Sequence, residues 1–511
     1  MKKKLIAIMV AAILLTMLPA TVIMAESEAA RAVVQIGNNI SSYKSDLQKN
    51  NARLLAMSPD EIAAADFAVY DTSNTLAENN LYKSDAEGQG FGGSIDMFVK
   101  GKTDKINTLG AGTYFVHSIE GGNGYPELFS DNTILRAERD ERVQLSEDFT
   151  EGTLDYQIIK NKKNVYIENI DFYGFNTLKF EYCDNIIINN CSFNYFTMNG
   201  LVFRGCKNVY IINSEFVECG CEMADETNSG YSIRFVGDEV NPSENILIEN
   251  CHIENSCGKA ISFVGSVDDY VIRNNEIFNS VWGAIDYWTP SVSGKYVNVI
   301  ENNKCVNTGF GKPSKNDKKA ISSGVGCAVI FAGMGTSMPK TIVKNNVIDN
   351  AVETGIEGPY ELVYHNTVKN TGENSAARYT GSTEAVYIKL VTEFEQKYIN
   401  NTIETRGLRC FSSYSAEDKE YKGVYIINNN LLLKPTDNSI TCNYKRSDIE
   451  INCPKLAKLV IKNNKGMQME SDSVNIYMND RSYTMQTLEI SNPCKIGYVP
   501  NNVQNKTLNT N

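Results

Sequence analysis

Histidine and tryptophan are almost missing from this chain, at three and two in 511 residues. No His-Glu-x-x-His, Gly-x-Ser-x-Gly or phosphate-loop motif occurs, so zincin, serine-hydrolase and nucleotide-dependent chemistry fall away. His117, His252 and His365 read as structural residues, His365 standing where repeats elsewhere have Asn. Positive charge is also short: 49 Lys and Arg face 61 Asp and Glu, a formal net charge of −12. Nucleic acid and anionic membrane surfaces call for the opposite field, so neither is expected as a partner. Cysteine is absent before Leu178, yet 13 follow it. An odd number leaves at least one thiol unpaired within the chain, and no paired Cys-x-x-Cys supports a structural zinc.

Only one long apolar run occurs, Leu5 to Leu18, behind Lys2, Lys3 and Lys4 and ahead of Pro19. It falls short of the roughly 20 residues that span a bilayer, and Ile23-Met24-Ala25 supplies a small-residue cleavage site. Residues 1–25 are therefore expected to be a signal peptide, and the mature chain to be secreted and extracellular, with no membrane attachment. Its removal takes the net charge to −15.

What the sequence has in abundance is a repeat. An aliphatic-x-Asn tripeptide recurs at Asn169, Asn190, Asn213, Asn250, Asn274, Asn302 and Asn345, then His365, then Asn401, Asn428, Asn463 and Asn492. Before most of these stands a second short segment of alternating apolar residues, as in Leu201-Val202-Phe203 or Ala284-Ile285-Asp286-Tyr287. Period two with β-branched residues means strand. A constant motif with variable spacers means one coil per repeat of a solenoid. The expected fold is all-β: a right-handed parallel β-helix of about twelve coils, with asparagines turned inward as a ladder. Cys183 and Cys206, and Cys191 and Cys251, occupy equivalent places in different coils, so the thiols are read as buried columns; adjacent coils would also be close enough for bridges. Ser58-Pro59-Asp60-Glu61 is a capping box, and residues 42–69 are read as one or two helices covering the first coil. The domain limits are thus 1–25 signal peptide, 26–104 helical cap region, 105–495 β-helix and 496–511 polar tail.

The repeat resembles the pectate-lyase-like (pectin-lyase-fold) superfamily of right-handed parallel β-helix proteins over residues 105–492. The segment from Asn107 to Val116, with Ala111-Gly112-Thr113-Tyr114, is similar to the opening strand common there. Gly-His-Gly and Trp-x-Asp-His are absent, which argues against the best-known pectinase groups. That fold carries lyases, hydrolases, epimerases and non-catalytic surface proteins alike. The resemblance implies a ligand lying along the outward face of one strand per coil, between walls made by long turns. It also admits calcium as a cofactor, although no metal ligands are assigned. Glu215, Glu218, Glu222, Asp225 and Glu226 are acidic and close in sequence but lack the spacing of a calcium loop.

By the pleat, the outward residues are Val202 and Arg204, Ser232 and Arg234, Ser262 and Val264, and Asp286 and Trp288. The face then runs through Ile330, Glu357, Tyr387 and Lys389 to Arg409. Asp286 and Glu357 are candidate catalytic carboxyls. With one coil between them their Cα atoms stand ~9.6 Å apart, and inverting glycosidases hold their carboxyls roughly 6.5–9.5 Å apart. Trp288 and Tyr387 can stack on sugar rings. An eliminating enzyme would use Lys389 or Tyr387 as base or acid, with Arg204 and Arg234 holding a substrate carboxylate and Arg409 also binding. The function expected is a secreted carbohydrate-active enzyme, lyase or glycoside hydrolase, cutting a polysaccharide. The alternative is a non-catalytic, adhesin-type glycan binder.

Overall fold

The computed structural model describes residues 27–66, 76, 93–94, 106–116, 129–138, 143–147, 157–220, 230–292, 294–309, 328–335, 338–372, 384–415, 417–434, 447–466, 474–478, 483–497 and 499–510. Strands follow one another in a three-step cycle, and each pairs in parallel with its equivalents one coil before and after. Among the described residues the result is three parallel sheets of 15, 14 and 13 strands, here called I, II and III. One coil shows the rule: Leu178–Glu181 lies in sheet III, Asp184–Asn189 in sheet I and Ser192–Asn194 in sheet II. The chain is a right-handed parallel β-helix.

The core is built by stacking like on like. Phe172, Phe193 and Phe216 form a column with ring centroids 5.0 and 4.8 Å apart, and Phe180, Phe203 and Phe235 another at 5.1 and 4.8 Å. Those separations are simply the strand spacing. Ten cysteines lie among the described residues. Nine of them are buried.

The repeated tripeptide marks a turn rather than the inside. Asn169, Asn190, Asn213, Asn250, Asn274, Asn302 and Asn345 all have φ between 51° and 58°. This left-handed conformation joins sheet I to sheet II, and asparagine tolerates it better than other side chains. Their amides bond from coil to coil at the rim, as Asn250 Nδ2 does to Asn213 Oδ1 at 2.7 Å. His365 takes the same conformation, and Asn400 Nδ2 approaches its Nε2 at 3.4 Å. At these coils the inward ladder is one residue later, which corrects the expectation, whereas Asn401 and Asn492 of the tripeptide column do point inward. Cys191, Ser214 and Cys251 begin it, and Asn275, Asn303, Asn346, Asn366, Asn401, Asn429, Asn464 and Asn492 continue it. Successive Nδ2–Oδ1 distances run from 2.9 to 3.3 Å. Each amide also reaches a backbone carbonyl, as Asn303 Nδ2 does to Ile272 at 3.0 Å, so the buried turn is satisfied from within.

The N-terminal helices reach further than expected. Helix α1, Glu28–Leu55, and helix α2, Pro59–Ala64, lie along the outer face of sheet I rather than over the first coil alone. Val33, Ile36, Ile40 and Leu47 pack on Ile134, Tyr166, Ile187, Tyr210, Leu247, Val271 and Val299. Leu54 and Ile62 continue onto Ile342, Leu362 and Ile399. The capping box of α2 is present, with Ser58 and Glu61 bonding each other's backbone N–H groups. At the other end the solenoid continues past 495: Asn502–Asn509 adds a last strand to sheet I, paired with Thr484–Ser491. None of the described helices is long and apolar enough to cross a membrane.

Candidate functional site

Sheet III carries the face that the pleat singled out. Its outward column is fixed by register: Val202, Arg234, Ser262, Asp286, Phe331, Glu357, Tyr387, Ser412 and Glu450, one per coil. One coil therefore separates Asp286 from Glu357, and its outward residue is Phe331. Ile330, expected outward, is fully buried in the core. The cause is register: the insertion 310–327 precedes this strand, and counting across it slipped by one.

Two lysine–carboxylate pairs meet around two aromatic rings. Lys259 Nζ lies 2.6 Å from Asp286 Oδ2, with the side chains only 5% and 2% exposed. Lys389 Nζ lies 2.8 Å from Glu357 Oε1, and these are 16% and 17% exposed. Between them, Trp288 and Phe331 have ring centroids 4.9 Å apart. Each ring is roofed by a cation: Lys259 Nζ is 4.6 Å from the Trp288 centroid and Lys389 Nζ is 4.0 Å from that of Phe331. Lys389 Nζ also donates to the Ala332 carbonyl at 3.2 Å. Such cation–π contacts gain strength where water is scarce. Burial pushes the Asp286 carboxyl up, while the charge of Lys259 at contact distance pulls it back. The net shift is upward, towards the protonated acid.

Tyr387 is half-buried next to Glu357 in the column, and its hydroxyl donates to the Tyr414 carbonyl at 3.4 Å. Burial, with the negative charges of Glu384 and Glu357, pushes it up to about 12. It is a proton donor at neutral pH, not a base. Arg204 and Arg234 stand on adjacent coils but not side by side: Arg234 is opposite Val202, and Arg204 is opposite Val236. Arg204 is exposed, whereas Arg234 is half-buried with its guanidinium 4.4 Å from the Tyr231 ring centroid. They do not form one fork for a carboxylate. Arg409 is only 4% exposed and bonds Glu450 through Nε, so it belongs to a buried ion pair rather than to a ligand surface.

Lys259 and Phe331 were missed in the sequence. Lys259 stands two residues ahead of the core residue Ile261, outside the outward positions read from the pleat. The segments 221–229, 310–327 and 373–383 all connect sheet II to sheet III and lie outside the described residues, as do Glu222, Asp225, Glu226 and His117. Among the described residues no group of three or more His, Cys, Asp or Glu could hold a metal ion.

No protein-family model matches the chain, and no curated protein does. Solved structures do. The chain is similar to PfbA, a surface adhesin of Streptococcus pneumoniae, at 12% identity over 82% of this chain and 92% of that one, with a TM-score of 0.41. It is similar to the Yersinia enterocolitica family 28 exopolygalacturonase at 10% identity, covering 82% and 78%, with a TM-score of 0.36. A third is the catalytic domain of a GH87 alpha-1,3-glucanase in complex with nigerose, at 13% identity over 58% of this chain and a TM-score of 0.38. This chain spans 60% of that catalytic domain. The likeness is one of fold, that of parallel β-helix proteins.

Proposed function

We propose that the chain is an exported protein that holds a polysaccharide along the outward face of sheet III and hydrolyses it there. The observation that carries the reading is the convergence of Lys259–Asp286 and Lys389–Glu357 around Trp288 and Phe331. Apolar rings beside paired charges suit a sugar, which has an apolar face and a polar rim. Glu357 takes a proton from water as the water oxygen bonds to the anomeric carbon. The glycosidic C–O bond breaks, and the leaving oxygen takes the proton from Asp286, which burial biases towards its acid form. Lys259 then faces the Asp286 carboxylate at contact distance and stabilises it. Two coils of separation, ~9.6 Å between Cα atoms, suit the inverting geometry, in which a water fits between the carboxyls. Elimination is disfavoured because Tyr387 is held as a proton donor and the Lys389 ammonium is taken up by Glu357.

A second reading has its own support. Asp286 is only 2% exposed, and each carboxylate already has a lysine, as a binding surface without turnover would. The test is to incubate the mature chain with plant and microbial polysaccharides, with and without calcium, following reducing ends and absorbance near 235 nm together. Reducing ends alone support hydrolysis. A rise in both means elimination, and binding without either supports the adhesin-type reading.

A further inference from the structure

The outward face of sheet II, on the first coils, carries a different set of groups. A cavity of about 390 Å³ opens there, lined among others by Gln144, Asp171, Tyr173, Asn194 and Tyr195. Tyr173 and Tyr195 are 39% and 44% exposed, and their ring centroids are 5.3 Å apart. Phe115, 42% exposed, stands in the same column as Tyr173 with the small, buried Ser146 between them. Three large aromatic side chains are exposed on one short stretch of the solenoid. A patch of this kind marks a contact site.

The polar groups beside them are ordered. Ser192 Oγ donates to Asp171 Oδ1 at 2.6 Å, and Asn194 Nδ2 donates to Ser192 Oγ at 3.2 Å. Gln144, Asp171 and Ser192 form the adjacent column, one residue per coil. Phe115 and Tyr173 are two strand spacings apart, ~9.6 Å, so a sugar unit over Ser146 is flanked by a ring at each end. Charge then chooses among glycans. No lysine or arginine stands on either column from Phe115 to Val217, whereas Asp171 and Glu215 do. Along these two columns of described residues a polyanion meets no cation.

We propose that this face is a second carbohydrate site, one that binds an uncharged oligosaccharide by stacking on Phe115, Tyr173 and Tyr195 and by hydrogen bonds to Gln144, Asp171 and Asn194. It is independent of the chemistry assigned to sheet III. It would keep the protein on a neutral glycan whether or not the other face turns substrate over.

The test uses the mature full-length chain carrying Glu357→Gln, so that the probe is not consumed, with maltohexaose, cellohexaose and laminarihexaose as neutral probes and oligogalacturonate as the charged one. Titration calorimetry of Tyr195→Ala and Tyr173→Ala should show affinity for a neutral probe falling on the order of tenfold each. Tyr195→Phe should bind like the parent, because the ring is kept. Both positions are exposed, and far-UV circular dichroism checks that the variants fold. Failure of all three neutral hexasaccharides to bind, unchanged affinity in both alanine variants, or equal binding of oligogalacturonate at this face would overturn the proposal. Absence of hydrolysis by the chain that keeps Glu357, with neutral binding intact, would instead strike only the sheet III reading.

Discussion

Sheets I and III both put a row of charges on their outward faces, and the difference between the rows is what lies over them. On sheet I, Glu249, Arg273, Glu301 and Lys344 succeed one another on four coils, alternating in sign. Arg273 bonds Glu249 at 3.2 Å and Glu301 at 2.9 Å, Lys344 bonds Glu301 at 3.0 Å, and none of the four side chains is more than 2% exposed. Helix α1 crosses this face, with Tyr43 donating to Glu249 at 3.0 Å and Lys44 pairing with Asp269 at 2.5 Å. On sheet III no described helix covers the pairs: Lys259 and Asp286 are still 5% and 2% exposed, but Lys389 and Glu357 keep about a sixth of their surface in water. Buried rows fix how elements dock, while half-open rows are free to meet a ligand.

Substitutions can break that contrast. Arg273→Met should have the largest effect, because it leaves Glu249 and Glu301 buried without their shared cation: a loss of about 3–5 kcal/mol, read by urea denaturation. Ile40→Ala, on the buried face of α1, should cost about 2–5 kcal/mol by opening a cavity under the helix. Asn346→Ala interrupts the inward ladder and strands the Asn303 backbone N–H, at about 1–3 kcal/mol. Glu357→Gln on the open row should change stability by less than about 1 kcal/mol, since the pair is partly solvated.

Asp286 sharpens the comparison through pH. Its carboxyl is raised in the folded chain, so the native state holds a proton that the unfolded state has released. Below the ordinary aspartate value both states are protonated and no difference arises. As pH rises from about 4, stability falls until the folded carboxyl ionises, and the loss then persists. Asp286→Asn should remove this slope. Denaturation midpoints of both proteins between pH 4 and 8 check it, and identical slopes would refute it.

The coil repeat was legible because the left-handed asparagine turn is demanding at one position and tolerant elsewhere. At most coils the ladder stands one residue past the tripeptide Asn because asparagines come in pairs, as in Asn302-Asn303 and Asn345-Asn346, while Asn401 and Asn492 are inward as the tripeptide column has them. The cysteines held the answer, for Cys191 and Cys251 follow the turn residue and point inward. The reach of α1 was hidden by weak local signals, including Gly37, Asn38 and Asn39, in a helix stabilised by packing rather than by propensity. Runs such as Ile186-Ile187-Ile188 and Ile246-Leu247-Ile248 are apolar on both faces, and that was the sign of a covered sheet. On sheet III, the outward register of Asp286, Glu357 and Tyr387 follows from the pleat alone. Lys259 does not, since its partner is 27 residues away and is found only by stacking coils.

The most direct test of the account compares wild type with Glu357→Gln on the polysaccharide that gives reducing ends in the panel, measuring turnover and affinity side by side. The account predicts a loss of turnover on the order of a hundredfold or more, with affinity nearly kept. Equal turnover in the two proteins would contradict it, and the open row of sheet III would then be a surface that binds without cutting.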